Sequence, residues 1–365
     1  MKFSCLKEHL VYALSTAERF TGKNLALPVL GNVLLTVRGN NLTVSATNLE
    51  YAAEISVPGR GGRDDKVCVP AKVASSLLQS IEEEKIDLEG KQGSLLVKTQ
   101  ARDTRINGLP ADDFPIFPKI KKIHGFSAEG SYLKKGLEKV LPAVSASEFK
   151  PELSGVHFLV SGSNLRLAAT DTFRLAEATL EIKRKDEKDS FSFILPFRTS
   201  QEVARLFGGE EIYVAIGENQ AEFVSGPARV VSRLVEGRFP DYGAIVPKRF
   251  ETASFLGQKK LLDAVRASSI FASKLQEVQF SFGGGEMRIS SSNPEVGEYH
   301  TQLLAPATGK TEAQASFNYR YLLDGLSALD EEEIFWGING GDGAALLRNK
   351  SGDDFIYVLM PIRVS

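Results

Sequence analysis

The stretch Lys150-Pro-Glu-Leu-Ser-Gly-Val-His-Phe-Leu-Val-Ser-Gly-Ser-Asn-Leu-Arg-Leu-Ala-Ala-Thr-Asp-Thr-Phe-Arg-Leu-Ala176 decides the fold. Val156, Phe158 and Val160 alternate as in a half-buried strand, and the run from Ser161 to Asn164 supplies small turn formers. Leu165 and Leu167 resume the alternation until Thr170-Asp171 ends it. This is a β-hairpin that runs out into a polar turn, and the chain writes it three times. The first copy is Gly31-Asn-Val-Leu-Leu-Thr-Val-Arg-Gly-Asn-Asn-Leu-Thr-Val-Ser-Ala-Thr-Asn48 and the third is Val278-Gln-Phe-Ser-Phe-Gly-Gly-Gly-Glu-Met-Arg-Ile-Ser-Ser-Ser-Asn293. Asn48, Asp171 and Asn293 recur at intervals of 123 and 122 residues, which means three tandem copies of one domain.

Working outward, an amphipathic helix precedes each hairpin, over residues 7–19, 132–144 and 258–269. In the second of these, Leu133, Leu137, Val140 and Leu141 share one face while Lys134, Lys135 and Lys139 take the other. A second helix in each copy follows Val69-Pro-Ala-Lys72, Leu195-Pro-Phe-Arg198 and Phe317-Asn-Tyr-Arg320. Further alternating strands close the copies near Leu109-Pro110, Leu234-Val235 and Met360-Pro361. The expected fold class is α+β, with two helices on antiparallel sheets repeated in tandem. Copy borders are expected at 1–124, 125–249 and 250–365.

A chain of 365 residues with 42% hydrophobic and 25% charged residues has the composition of a soluble globular protein of two or three domains. Charges interrupt the amino-terminal Met1-Lys-Phe-Ser-Cys-Leu-Lys-Glu-His9, and no apolar run of 18 residues occurs, so the sequence predicts a cytoplasmic protein with no signal peptide or membrane span. Cys5 and Cys68 lie far apart in no metal spacing. The sequons at Asn41 and Asn349 are then chance matches. Net charge is −2, so any affinity for nucleic acid must come from how charge is distributed. The second helices carry Lys72, Arg198, Arg205 and Arg320 with few acids, whereas Glu82-Glu83-Glu84, Glu210-Glu211 and the run from Asp330 to Glu333 follow them. Carboxylates are unfavourable at a helix C-terminus, so these runs are expected beyond the last turn. The result is a basic helical face and an acidic rim.

Catalytic patterns fail one by one. Thr308-Gly-Lys-Thr311 ends like a phosphate-binding loop, but Leu304 stands where the motif needs glycine. Gly337-Ile-Asn-Gly-Gly-Asp-Gly343 reads as a hairpin turn. His9, His124, His157 and His300 have no ligand spacing, and Asp112-Asp113 and Asp353-Asp354 are adjacent rather than face-paired. No cofactor and no metal are expected. An enzyme with its site at a domain junction is the alternative, and it needs convergent titratable groups that the sequence does not display. A scaffold that binds protein but never DNA is a third reading.

The repeat and its motifs together resemble the sliding-clamp family, the beta subunits of bacterial DNA polymerase III. The residues that carry the resemblance are Leu27-Pro-Val-Leu-Gly-Asn32, Ala169-Thr-Asp-Thr-Phe-Arg-Leu-Ala176, Glu236-Gly-Arg-Phe-Pro-Asp-Tyr242 and Tyr357-Val-Leu-Met-Pro-Ile-Arg363, in the family's order and spanning the chain. Thr172-Phe173 stands where the family commonly has Gly-His, and Gly243-Ala244-Ile245 lacks the basic residues often found there.

The resemblance implies a non-enzymatic processivity factor, a head-to-tail homodimeric ring that encircles duplex DNA without sequence preference. Its partners would be the replicative polymerase, the clamp loader and repair proteins, each inserting a short apolar peptide into a pocket. Carried over by motif position, that pocket comprises Leu153, Thr170, Thr172, Arg174, Leu175, Pro240, Ile245, Val358, Met360, Pro361, Ile362 and Arg363. From the residues alone, the favoured reading is that the apolar members merely fill the seam between the second and third copies. DNA contact is expected from Arg19, Lys23, Lys134, Lys135, Lys139, Lys150, Arg198, Lys248, Lys259, Lys260 and Arg266. The resemblance puts the dimer interface at Leu77 and Ile106 of one chain and Ile270 and Phe271 of the other.

Overall fold

Each hairpin forms where the alternation puts it. The structure, a computed structural model, describes residues 1–24, 26–91, 93–117, 120–147, 149–184, 189–310 and 312–363. The first copy supplies β1 (Lys2–Leu6), α1 (Lys7–Glu18), β2 (Asn32–Arg38), β3 (Asn41–Thr47), β4 (Tyr51–Pro58), β5 (Arg60–Gly61), β6 (Asp65–Pro70), α2 (Ala71–Gln79), β7 (Lys85–Lys91), β8 (Ser94–Lys98) and β9 (Asp103–Asn107). The second supplies β10 (His124–Glu129), α3 (Gly130–Val140), β11 (Gly155–Ser161), β12 (Asn164–Thr170), β13 (Arg174–Glu181), β14 (Phe191–Pro196), α4 (Phe197–Leu206), β15 (Glu211–Ile216), β16 (Gln220–Ser225) and β17 (Ala228–Arg233). The third supplies β18 (Thr252–Gly257), α5 (Gln258–Ser269), β19 (Glu277–Gly283), β20 (Glu286–Asn293), β21 (Gly297–Leu304), β22 (Ala307–Gly309), β23 (Ala313–Asn318), α6 (Tyr319–Ser327), β24 (Glu333–Asn339), β25 (Gly343–Asn349) and β26 (Phe355–Leu359).

The hairpins turn through Gly39, Gly162 and Gly284, with φ of 55°, 58° and 63°, a region open to glycine because it has no Cβ. Two of the three following turns are built alike. Thr47 Oγ1 accepts from the Leu49 amide, and Asn48 Oδ1 from those of Glu50 and Tyr51. Thr170 Oγ1 and Asp171 Oδ1 repeat these bonds to Thr172, Phe173 and Arg174. Leu49 and Thr172 consequently sit at φ of 77° and 78°. In the third copy Pro294, whose ring fixes φ, blocks that geometry, and the left-handed residue moves to Gly297.

Four sheets result, with orders β5-β1-β7-β8-β9, β10-β15-β16-β17-β4-β3-β2-β6, β14-β11-β12-β13-β26-β25-β24-β18-β22 and β21-β20-β19-β23. The two largest run across copies, because β17 pairs antiparallel with β4 and β26 with β13. The chain accordingly divides into two compact units, residues 1–131 with 205–234 and residues 132–204 with 235–365. The first unit contains the eight- and five-stranded sheets, the second the nine- and four-stranded ones. Trp336, Tyr357, Phe158, Phe280 and Phe317 are fully buried in the second unit, and Phe20, Leu10, Leu14 and Phe223 in the first.

A strand precedes the first helix of every copy, which the sequence reading had left out. The helix expected over 132–144 ends at Val140, because Pro142 lacks the amide to continue it and residues 141–143 form a 3₁₀ turn instead. The acidic runs lie beyond α2, α4 and α6, as expected, and their backbone does a specific job. The carbonyls of Glu84, Glu210 and Glu332 accept from the amides of Lys7, Gly130 and Gln258, the first residues of α1, α3 and α5, at 2.7, 3.0 and 2.8 Å. Each supplies a partner to an otherwise orphaned helix-start donor. Residues 340–342 form the expected turn between β24 and β25. Thr308 and Gly309 belong to β22 rather than to a loop before a helix, and Thr311 lies outside the described residues. Asn349 is buried, and Cys5 and Cys68 are buried free thiols that burial pushes up to about 12 and about 11.

Candidate functional site: an apolar cluster and exposed basic residues

The turn at 170–174 is the rigid edge of the site. Arg174 folds inward instead of presenting its guanidinium to solvent. Its Nε donates to Asp171 Oδ2 at 3.0 Å, Nη1 to Asp324 and to Tyr357 Oη, and Nη2 to the Pro142 carbonyl, while the guanidinium lies 4.2 Å from the Tyr321 ring centre. Burial opposes its charge, but Tyr357, Asp324 and Asp171 outweigh that and hold its pKa above the ordinary value. Arg174 is therefore the centre of a structural knot that fixes the turn.

Beside it, Leu175, Leu346 and Val358 form a buried cluster against Tyr242, Val246, Phe250 and Phe335. Leu153 belongs to a neighbouring cluster with Ala168, Ile194 and Phe239, against which Tyr242 also packs. Tyr242 Oη donates to Glu177, which holds the ring between the two clusters. Thr170 is buried, Thr172, Pro240, Ile245 and Met360 are exposed, and Pro361 is half-buried. The Met360 amide donates to the Phe173 carbonyl at 2.9 Å, so the strand that carries Val358 is tied directly to the turn. Ile362 and Arg363 go elsewhere. The Ile362 amide bonds the Ser316 carbonyl at 2.7 Å, and both residues line a polar hollow with Gln279, Arg288, His300 and Gln314. Tyr242, Val246 and Leu346 were missed by motif position. Tyr242 had a signal, as the last residue of a quoted motif; Val246 and Leu346 had none.

The basic residues separate into committed and uncommitted side chains. Lys139, 10% exposed, pairs with Asp330 and lies over the Phe355 ring, and Lys135 reaches the same carboxylate at 3.1 Å. Lys134 is 3.9 Å from Glu138, Arg266 3.8 Å from Asp263, and Arg19 bonds the Ser15 carbonyl. Lys23, Lys150, Arg198, Lys248, Lys259 and Lys260 are exposed and carry no ion pair among the described residues.

Among the described residues no His, Cys, Asp and Glu cluster could hold a metal, and no helix is long and apolar enough to cross a membrane. Family models for the DNA polymerase III beta subunit match three consecutive segments: the N-terminal domain at residues 1–118, the central domain at 128–241 and the C-terminal domain at 244–363.

The chain belongs to the DNA polymerase III beta subunit family.

It is similar to the beta sliding clamps of Pseudomonas aeruginosa and Synechocystis, 28% identical in each case, with all of both chains covered. A crystal structure of the Pseudomonas aeruginosa clamp bound to griselimycin superposes over the whole of both chains, with a TM-score of 0.95 and 27% identity. Beta sliding clamps are processivity factors rather than enzymes, and this chain has their function and fold. Of the positions expected at a dimer interface, Ile270 is 68% exposed and Leu77 is half-buried. Phe271 has a partner in its own chain, stacking on Tyr299 at 6.0 Å, and Ile106 is only 4% exposed.

Proposed function

We propose that two copies of this chain close head to tail around duplex DNA in the cytoplasm, and that partner proteins dock a short apolar peptide in the groove at Leu175, Val358 and Met360. One observation carries the dimer. In the first two copies the strand after the hairpin, β4 or β13, pairs with the last strand of the next copy, β17 or β26. That rule leaves β21 without a second neighbour at one end of the chain and β9 at the other. Unpaired edges are ready templates for another chain, and joining β9 of each subunit to β21 of its partner is a heterologous contact that two subunits related by a two-fold axis close into a ring. Leu77 and Ile270 would then be covered at the joint, with Ile106 and Phe271 supporting it from within.

The copies are taken to meet near residues 124 and 249. The uncommitted Lys23, Lys150, Arg198, Lys248, Lys259 and Lys260 are the first choice for phosphate contact, and the remaining basic candidates are secondary. Loss of one contact should weaken binding equally on all sequences and lower the salt slope by about 0.9. The groove suits a peptide with two apolar anchors, worth ~3–6 kcal/mol before ordering costs, so an isolated peptide binds in about the micromolar to sub-millimolar range. The decisive test is sedimentation of an Ile270→Asp, Phe271→Asp variant, with retention on circular but not linearised duplex DNA measured alongside. Folded monomers that fail to stay on circles are expected. Wild-type sedimentation of that variant would refute the interface.

A further inference from the structure

The region proposed as a peptide groove in the second unit has a counterpart in the first, and the positions of the two correspond. Tyr51 lies 123 residues before Arg174, and the turn before it has the bonds and the left-handed residue already described. The Arg233 amide donates to the Glu50 carbonyl at 2.8 Å, as the Met360 amide does to Phe173 at 2.9 Å. Val231 faces Ala52 across two paired strands, as Val358 faces Leu175. Phe114-Pro115-Ile116-Phe117 takes the place of Phe239-Pro240-Asp241-Tyr242, and Phe117 packs against the buried Phe114 cluster as Tyr242 packs against that of Phe239. Leu49, Ala52, Ile116, Phe117, Val231 and Arg233 are among the residues that line a hollow of about 240 Å³.

Its lining differs in ways that define an occupant. Ala52 replaces Leu175, which deepens the floor, and an apolar cavity of about 150 Å³ already accepts a benzene ring. Ile116 is 95% exposed and Leu49 44% exposed, two aliphatic lips left open among the described residues. Arg233 replaces Met360. It is exposed and carries no ion pair among the described residues, whereas the neighbouring Arg229 is held by Glu54 and Glu222. Glu50 is the other exposed charge on the rim, so the hollow offers one cationic side and one anionic side.

We propose that this hollow is a second docking groove, for a linear partner peptide that inserts one aromatic anchor over Ala52 and Phe117 and sets a carboxylate against Arg233. The proposal rests on reading the second-unit groove as a peptide site, and it predicts different selectivity at the two. The probes are fluorescein-labelled Gly-Ser-Leu-Ser-Leu-Phe and Gly-Ser-Asp-Phe-Ser-Asp, titrated by anisotropy and calorimetry against wild type, Met360→Ala, Arg233→Glu and Ile116→Asp. Both first-unit substitutions are at exposed positions, and thermal unfolding checks that they fold. The acidic aromatic probe should bind wild type and Met360→Ala equally, and Arg233→Glu or Ile116→Asp at least tenfold more weakly. The Leu-Phe probe should bind Arg233→Glu and Ile116→Asp as it binds wild type, and Met360→Ala about fivefold to tenfold more weakly. If the acidic probe does not saturate wild type below millimolar concentration, or binds Arg233→Glu unchanged, the second groove is refuted. A change in sedimentation on Ile116→Asp would also refute it, by making the hollow a contact between copies. Loss of Leu-Phe selectivity with acidic-probe selectivity intact would refute only the second-unit reading.

Discussion

At the turn that edges each groove, the two units put the same backbone to opposite use. In the second, Arg174 ties the turn to Asp171, Asp324, Tyr357 and the 3₁₀ turn that follows α3. In the first, Tyr51 occupies the matching position and meets the Phe20 ring edge-on at 5.4 Å. The lesson is that two copies of the repeat preserve one hydrogen-bonded geometry while the side chains that stiffen or line it drift apart. One unit has an electrostatic knot and a flexible methionine lip, the other an aromatic prop and an arginine lip.

The sharpest way to break this contrast is Arg174→Ala. It leaves Asp171 and Asp324 without their cation, and should cost the second unit about 3 kcal/mol. Tyr51→Phe should cost the first at most about 1 kcal/mol, both read from denaturant unfolding. Equal losses would mean that the knot is ornamental.

Acid gives the next contrast. His157 stacks on Phe239 at 4.6 Å with its Nδ1 buried and unpartnered, and burial, with Arg166 adding to it, lowers its pKa to about 4. Leu34 stands at the matching place in the first unit. A depressed histidine pKa contributes stability above pH 6.5 that is lost as pH falls from 6.5 to 4, about 2–3 kcal/mol at the limit. The second unit should therefore open first under mild acid in hydrogen exchange, and His157→Leu should abolish that lead.

Met360→Ala is a smaller change, expected to weaken Leu-Phe peptide binding about fivefold to tenfold with sedimentation unchanged. Met360 is 41% exposed, so little stability goes with it. Leu175→Ala in parallel would abolish binding, but would also open a core cavity, which makes Met360→Ala the cleaner readout. The smallest effect compares Thr172→Gly with Leu49→Gly. Both relieve a left-handed residue, and the β-branched Thr172 should gain more, about 0.5–1 kcal/mol by calorimetry.

How much of this was legible follows from where the information lies along the chain. The hairpins were legible because Val156, Phe158 and Val160 carry a period of two over seven residues. The strands before the first helices were not, although Lys2 to Leu6 alternates in burial, because strand passes into helix at Leu6 with no capping side chain to mark the change. Lys139 shares a helix with Lys134 and Lys135, and nothing local reveals that its ammonium is spent on Asp330, 191 residues away. That Leu175 and Val358 lie together was legible through motif order, whereas Leu346, which no motif marks, joins them only by strand pairing. Ile362 and Arg363 line a separate polar hollow, because the chain turns away within two residues of Met360.

The fused sheets have a practical consequence for dissecting the molecule. Cutting at the copy borders would leave a central fragment with β13 and β17 each stripped of a neighbour, two long hydrogen-bonding edges facing water. Such a fragment should aggregate or swap strands. A piece that folds alone must instead follow the interleaved partition, with residues 205–234 grafted onto 1–131, so the repeat that built this protein is not the unit in which it can be taken apart.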